Sequence, residues 1–210
     1  MKTLISDIKF VFYILLHPFD GFYEARFRRK KNYFLITLIY ALCGFTEVIR
    51  MNYSGFMVRD WKLVDVNNVF VFAAAIFPYI IFAVGNWSVT TLFNGNGKIS
   101  DILMTLAYAM VPKIFFTLFG VLVSNFIIRE EIIILNAFLM IGTVYFVFIA
   151  FVGLCVVHEY TASKTIGMAI ATVLAMLILI FILLFYVSVM GKIFSFVSTI
   201  LREVLNHISL

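Results

Sequence analysis

The chain has 210 residues, of which 64% are apolar and 13% are charged, and its mean hydropathy is +1.09. Ordinary soluble domains contain roughly 45–50% apolar and about 25% charged residues, so this composition excludes a water-soluble globular fold. The net charge of +5 arises mainly from a basic run directly before the first long apolar segment, which is typical of a membrane border and argues against nucleic-acid binding.

Residues 1–32 are predicted to form a cytoplasmic amphipathic helix followed by a basic segment. Apolar residues recur at helical spacing until His17 and Pro18 end the helix. The cations of the basic segment are Arg26, Arg28, Arg29, Lys30 and Lys31. A juxtamembrane cluster of this kind attracts anionic headgroups, so membrane lipids are expected partners.

Five apolar runs are predicted to cross the bilayer, approximately residues 33–49, 69–93, 102–128, 132–157 and 166–190. All but the first reach the roughly 20 residues that a helix needs to cross hydrocarbon. The bilayer core offers no water to backbone polar groups, so such runs must be helices. The sequence therefore predicts an all-α polytopic membrane helix bundle over residues 33–190.

Residues 191–210 are predicted to form a second amphipathic helix, with an apolar stripe opposite polar residues. The stripe consists of Ile193, Val197, Ile200, Leu201, Val204 and Ile208. We expect this helix to lie in the extracytoplasmic interface. Whether either terminal helix lies on the membrane or packs on the bundle is left open.

Lysine and arginine predict the orientation of the bundle. On the side of the N-terminus they are Lys2, Lys9, Arg26, Arg28, Arg29, Lys30, Lys31, Lys98 and Lys164. On the opposite side they are Arg50, Arg59, Lys62, Arg129, Lys192 and Arg202. The positive-inside rule then places the N-terminus in the cytoplasm and, with five spans, the C-terminus outside.

The second and third spans and their connection hold the most distinctive pattern, beginning at Trp87. Asn94, Gly95 and Gly97 predict a tight turn between the two spans, because asparagine and glycine favour turn conformations. Ser100 is expected to cap the third span. The two glycines lack the spacing of a phosphate-binding loop.

Pro112 and Lys113 lie midway along the third span. A lysine at the centre of a spanning helix costs roughly 2.5–3.5 kcal/mol on insertion scales, so Lys113 needs a partner. Glu47, Glu159 and the carbonyls freed by Pro112 are the candidates. An internal contact is favoured, and ligand binding, transport or snorkelling of a tilted span are the alternatives.

Catalytic and metal-binding motifs are missing from the sequence. His158 and Glu159 begin like a zinc-protease motif, but its second histidine position is occupied by Ala162. Cys43 and Cys155 lie in apolar runs and are interpreted as small buried hydrophobic residues. We therefore expect no enzyme activity, metal or cofactor, and interpret His158 as a hydrogen-bonded residue at the membrane border.

Two groups of residues resemble the Yip family of membrane proteins, which is named for interaction with Ypt/Rab GTPases. The first group is Trp87, the Gly95/Gly97 turn, and Tyr108-Ala109 followed by Pro112. The second group is similar to the bacterial branch: His17-Pro18-Phe19, His158-Glu159-Tyr160 running to Lys164, and the closing helix with Glu203. Together they cover nearly the whole chain.

The resemblance implies a five-span bundle with a cytoplasmic N-terminus in a bacterial plasma membrane. Eukaryotic members are non-enzymatic adaptors for prenylated Rab GTPases, but the long cytoplasmic N-terminal region of those members is missing, so Rab binding is not expected. Bacterial relatives resemble accessory membrane proteins, some of them partners of ABC transporters, including carbohydrate importers.

The function predicted from these observations is a non-catalytic membrane scaffold or accessory subunit. Its partner would be another integral membrane protein, with ABC transporter subunits as one example. Gly142, Gly153 and Gly167 would permit close approach between helices. The alternative is a small transporter or channel-like protein for a polar or anionic solute, with Lys113 on its path. The sequence leaves the homo-oligomeric state open.

Overall fold

The computed structural model describes the backbone of residues 2–58 and 67–208, and the side chains of residues 6–58 and 67–202. In these ranges the chain is helical and has no β-strand, as predicted. The helices are α1 (Lys2–Leu16), α2 (Pro18–Phe27), α3 (Tyr33–Tyr53), α4 (Asn68–Leu92), α5 (Ile99–Ser124), a 3-10 helix (Arg129–Glu131), α6 (Ile132–His158) and α7 (Ala162–Ile208).

Within the described ranges five helices, α3 to α7, are long and apolar enough to cross a membrane. The prediction of five spans is therefore confirmed. The first span is longer than expected, because α3 continues to Tyr53. Arg59 and Lys62, which entered the charge comparison, lie outside the described residues, as do the side chains of Lys2, Glu203, Val204 and Ile208.

The alternation of five spans defines two ends of the bundle. The open end of the pair of helices α1 and α2, the turn 93–98 and the link 159–161 lie at one end, here called the N-terminal face. Residues 54–58 after α3 and the connection that follows α5 lie at the other end, here called the opposite face.

Helix α5 is the central helix and packs against α3, α4 and α6. Gly142 and Gly153 allow α6 to approach closely, as predicted for small residues. A Cβ atom at Gly142 would lie 2.6 Å from the Cβ of Phe116, and one at Gly153 would collide with the Cγ2 of Thr105. Gly167 has no atom within 4 Å of its Cβ position, so it makes no such contact.

Helices α1 and α2 form a hairpin whose turn reaches deep into the bundle. Pro18 ends α1 and occupies the first turn of α2, where its missing N–H is tolerated. Near this turn the hydroxyl of Tyr145 donates a hydrogen bond of 2.7 Å to the carbonyl of Leu15. Tyr145 is the middle residue of α6, about 20 Å from the end of that helix.

The open end of the same hairpin lies at the N-terminal face. There the side-chain amide of Asn32 donates a hydrogen bond of 2.7 Å to the carboxylate of Asp7. Between the two ends, fully buried Phe22 packs on Gly153, where an added Cβ would lie 2.9 Å from the ring. The hairpin therefore packs on the bundle along one side, which the sequence alone left open.

Helix α7 differs most from its predicted boundaries. It contains 47 residues and continues without a break through position 190, where the sequence predicted a separate helix to begin. Its first part packs on α4. Between 191 and 202, however, Ser198 is the single partly buried residue and the others are exposed. The described part of this segment therefore does not pack on the bundle.

Candidate functional site

The turn after α4 and the link after α6 pack directly against each other. A Cβ atom at Gly95 would lie 2.8 Å from the Tyr160 hydroxyl, and one at Gly97 would lie 2.7 Å from the Cε1 of His158. The residue before them, Asn94, has a φ of 57°, in the left-handed region that asparagine tolerates better than most residues. The glycines are thus needed for close approach between the two predicted motifs.

His158 links three spanning helices through a buried chain of hydrogen bonds. Its Nε2 lies 2.9 Å from the Oδ1 of Asn86 in α4, and the Nδ2 of Asn86 donates to the Thr172 hydroxyl in α7 at 3.0 Å. Because the Asn86 oxygen can only accept, the Nε2 of His158 carries the proton. The Nδ1 of His158 has no hydrogen-bond partner among the described residues.

Tyr160 and Lys164 close the end of α4. The Tyr160 hydroxyl donates to the carbonyl of Phe93 at 2.9 Å, and the Lys164 ammonium donates to the same oxygen at 3.0 Å. Lys164 also lies 3.9 Å from the centre of the Tyr160 ring, a cation–π contact. Burial raises the pKa of the Tyr160 hydroxyl, which keeps it protonated and able to donate.

Arg26 connects the α1–α2 hairpin to both of these segments. Its Nη1 lies 3.0 Å from the Oε1 of Glu159 and donates to the carbonyl of Val156 at 3.1 Å. Its Nη2 donates to the carbonyl of Asn96 at 3.1 Å. A guanidinium has five donors in a rigid fork, so it can join three chain segments at one point.

A second ion pair ties the start of α3 to the start of α5. The Nζ of Lys31 lies 2.5 Å from the Oδ1 of buried Asp101 and donates to the Ser100 hydroxyl at 2.7 Å. The other oxygen of Asp101 accepts from the backbone N–H of Lys98 at 3.0 Å. Ser100 is therefore not the cap that the sequence predicted, because α5 begins at Ile99, two residues earlier than that cap implies, and Lys98 holds the cap position.

Lys113 has a partner that the sequence did not suggest. Its Nζ donates a hydrogen bond of 2.9 Å to the Tyr79 hydroxyl, and both residues lie near the middle of their helices. The two proposed carboxylates form other pairs: Glu47 with Arg50 at 2.6 Å, and Glu159 with Arg26. Glu159 lies at the N-terminal face, too far along the bundle to reach the middle of α5.

The comparison with known families covers nearly all of these elements. The model of the Yip1 domain matches residues 12–200. The chain belongs to the Yip1 domain family. No curated protein and no solved structure matches it. The Yip family consists of non-enzymatic membrane proteins.

Not every predicted site residue joins the network of this Yip1 domain. Tyr108 and Pro112 are buried within α5, where they contribute to packing. Trp87 is 42% exposed on α4, and its carbonyl accepts a hydrogen bond of 2.6 Å from Thr91. The residues that meet at the N-terminal face are Asn94, Gly95, Gly97, His158, Glu159 and Lys164.

Three residues of the Yip1 domain have structural roles that the sequence did not predict. Asn86 carries a detectable signal, because an amide near the end of an apolar span needs a hydrogen-bond partner. Tyr79 carries a weaker one, since it is a hydroxyl at the middle of a span. Arg26 carries none, because four other cations follow it within five residues.

The hydrogen bonds and ion pairs of this arrangement hold chain segments in place. No group of three or more metal-ligating side chains occurs among the described residues. The network instead joins the α1–α2 hairpin of the Yip1 domain to the end of α6 and to the turn after α4, the segment before α3 to the start of α5, and α4 to α7.

Proposed function

We propose that this Yip1 domain is a non-catalytic scaffold or accessory subunit that binds another integral membrane protein through the exposed side of the α1–α2 hairpin. The observation that carries the proposal is the exposed carboxylate of Asp20 near the turn of the hairpin. This carboxylate has no hydrogen bond or ion pair among the residues that the structure describes.

The depth of Asp20 makes its exposure unfavourable in lipid. Phe22 packs on Gly153, five residues before the end of α6, and Asp20 lies closer to the hairpin turn than Phe22 does. Asp20 is thus about 10 Å from the end of α6. Helix α6 is about 40 Å long and hydrocarbon is about 30 Å thick, so an α6 that is centred in the bilayer would place Asp20 about 5 Å inside the hydrocarbon.

The surface around Asp20 has the composition of a protein interface. Its exposed side chains are Phe12, Tyr13, Leu16, Phe19 and Tyr23, with His17 beside them. We call these residues and Asp20 the hairpin surface. Aromatic residues are enriched at protein interfaces. Lipid tails could cover the rings, but they offer no donor to a carboxylate.

A photo-crosslinking residue at Phe19 tests the proposal in native membranes. The same residue at Phe115, which is 63% exposed on α5, is the control for lipid-facing position. We expect a discrete adduct with one membrane protein from position 19 and none from position 115. The adduct should be lost in Asp20→Asn and return in Asp20→Glu, because a charged partner group requires the carboxylate.

Equal adducts from both positions, or an adduct indifferent to Asp20→Asn, would contradict the proposal. Identification of the adduct by mass spectrometry tests the finer proposal that the partner is an ABC transporter subunit. A different membrane protein would overturn that finer proposal and leave the scaffold role in place.

A transport function is the second candidate, because Lys113 and Tyr79 form a polar contact midway along α5 and α4. A cavity of about 140 Å³ towards the opposite face is lined by Glu47, Arg50 and Thr117, among others. Chloride flux into proteoliposomes serves as the probe. Flux that is present in the unaltered protein and lost in Lys113→Ala would favour transport over the scaffold.

We also propose that the N-terminal face is cytoplasmic and that the membrane is a bacterial plasma membrane. The basic residues of 26–31 support this orientation. A reporter that is active only in the cytoplasm, fused to the N-terminus, should be active. Activity of the same reporter at the C-terminus alone would reverse the orientation.

A further inference from the structure

A basic pocket and an apolar groove adjoin at the N-terminal face. The pocket is lined by Asp7, Arg29, Lys30, Lys31, Asn32 and Tyr33 and has a volume of about 450 Å³. The groove lies between α3, α4 and α5, has a volume of about 490 Å³ and is lined mainly by apolar side chains, among them Ile36, Ala41, Ile76 and Ile80.

Two residues show that the pocket and the groove are neighbours. Tyr33 lines both of them. Lys31 lines the pocket, and its ammonium donates to the hydroxyl of Ser100, which lines the groove. A single ligand with a polar end and an apolar end could therefore occupy both.

An unpaired cation in the pocket favours an anion. Three cations and one carboxylate line the pocket. Lys31 forms an ion pair with Asp101, and the Nε of Arg29 forms one with Glu24 at 2.9 Å. Lys30 is exposed and has no ion pair within the described part of the chain. Its ammonium is available for a ligand.

The groove selects the rest of the ligand. It follows α3 from Tyr33 to Ala41, eight residues or about 12 Å into the membrane. Ile80, on its α4 side, is 46% exposed, so the groove is open towards lipid. Hydrocarbon chains of the surrounding leaflet have direct access to it, whereas a water-soluble anion gains nothing from an apolar groove.

We propose that the pocket and groove form a specific site for one anionic phospholipid of the leaflet at the N-terminal face. The phosphate lies in the basic pocket near Lys30, and one acyl chain lies along α3 in the groove. This site is separate from the hairpin surface and does not depend on a protein partner.

Native mass spectrometry of the full chain tests the site with phosphatidylglycerol as the probe and phosphatidylcholine as the neutral comparison. We expect one retained phosphatidylglycerol per chain and no retained phosphatidylcholine. Lys30→Gln should weaken retention about fivefold, the effect of one cation near an anionic headgroup. Lys9→Gln removes another exposed lysine, one outside the pocket, and should have no effect.

The groove has its own pair of variants. Ala41→Trp fills the groove and should abolish retention, whereas Ala74→Trp adds the same ring at an exposed position of α4 that does not line it. Ile76→Phe is a milder second variant in case Ala41→Trp fails to fold. Thermal unfolding in lipid-free detergent reports whether each variant is folded.

Four results would overturn the proposal. Equal retention of phosphatidylcholine would remove the role of the anionic headgroup. An equal loss in Lys9→Gln would indicate diffuse attraction to the basic surface. Displacement of the lipid by soluble glycerol phosphate would indicate a phosphate site without an acyl chain. Unchanged retention in both Ala41→Trp and Ile76→Phe would indicate the same.

Discussion

The hydroxyl of Tyr145, at the middle of α6, donates a hydrogen bond of 2.7 Å to the carbonyl of Leu15, at the end of α1. A carbonyl in the last turn of a helix has no partner within that helix, so Tyr145 satisfies a group that lipid could not. This bond fixes the depth of the α1–α2 hairpin, and with it the position of the hairpin surface.

Replacing Tyr145 by phenylalanine should destabilise the protein by about 1–3 kcal/mol, because the Leu15 carbonyl is left without a partner. Thermal unfolding in detergent measures the change. Tyr186→Phe is the control, since Tyr186 is 59% exposed on α7 and its stability effect should be negligible. Equal effects of the two variants would show that the hydroxyl of Tyr145 contributes nothing.

The depth of the hairpin can be measured by thiol labelling of the chain in liposomes. Cys43 and Cys155 are first replaced by alanine, and single cysteines are placed at Phe19 and Arg28. Position 28 should react with a membrane-impermeant maleimide, and position 19 should not, because the hairpin turn lies within hydrocarbon. If α1 and α2 lay flat on the membrane surface, both positions would react at similar rates.

The contact between the turn and the link predicts a strict size limit at Gly97. A Cβ there would lie 2.6 Å from Val157 and 2.7 Å from His158, so Gly97→Ala should cost about 1–3 kcal/mol through overpacking. Gly167→Ala is the matched control within α7, where nothing lies within 4 Å. It should be neutral or stabilising by up to about 1 kcal/mol, since alanine favours helix more than glycine does. Similar unfolding temperatures for both variants would argue against the packed turn.

Two of the ion pairs at the N-terminal face should differ in their contribution to stability. Lys31→Met leaves the buried carboxylate of Asp101 without its cation, which should cost about 3 kcal/mol. Glu24→Gln breaks the more exposed pair with Arg29 and should cost at most about 1 kcal/mol. Chemical unfolding in detergent measures both losses of stability. A larger loss in Glu24→Gln would contradict the expectation that the buried pair contributes more.

Proximity in the sequence explains which parts of the network could be predicted. The Asn94–Gly97 turn and the start of α2 at Pro18 depend on local backbone preferences, so their residue types are informative. The contact between Gly97 and His158 joins positions 61 residues apart, and no local pattern reports it. The partner of Lys113 illustrates the same limit, because the choice among Tyr79, Glu47 and Glu159 depends on how the helices are arranged.

The sequence by itself determined the five spans and the helical class, because an apolar chain in a bilayer must satisfy its backbone polar groups within each segment. It also determined that basic residues gather near the N-terminus, since the positions of lysine and arginine are read directly from the sequence. The tertiary structure alone decided that the hairpin turns back at the middle of α6, that Tyr79 receives Lys113, and that α7 continues past position 190. These outcomes depend on the relative placement of helices, which is set by packing between distant residues.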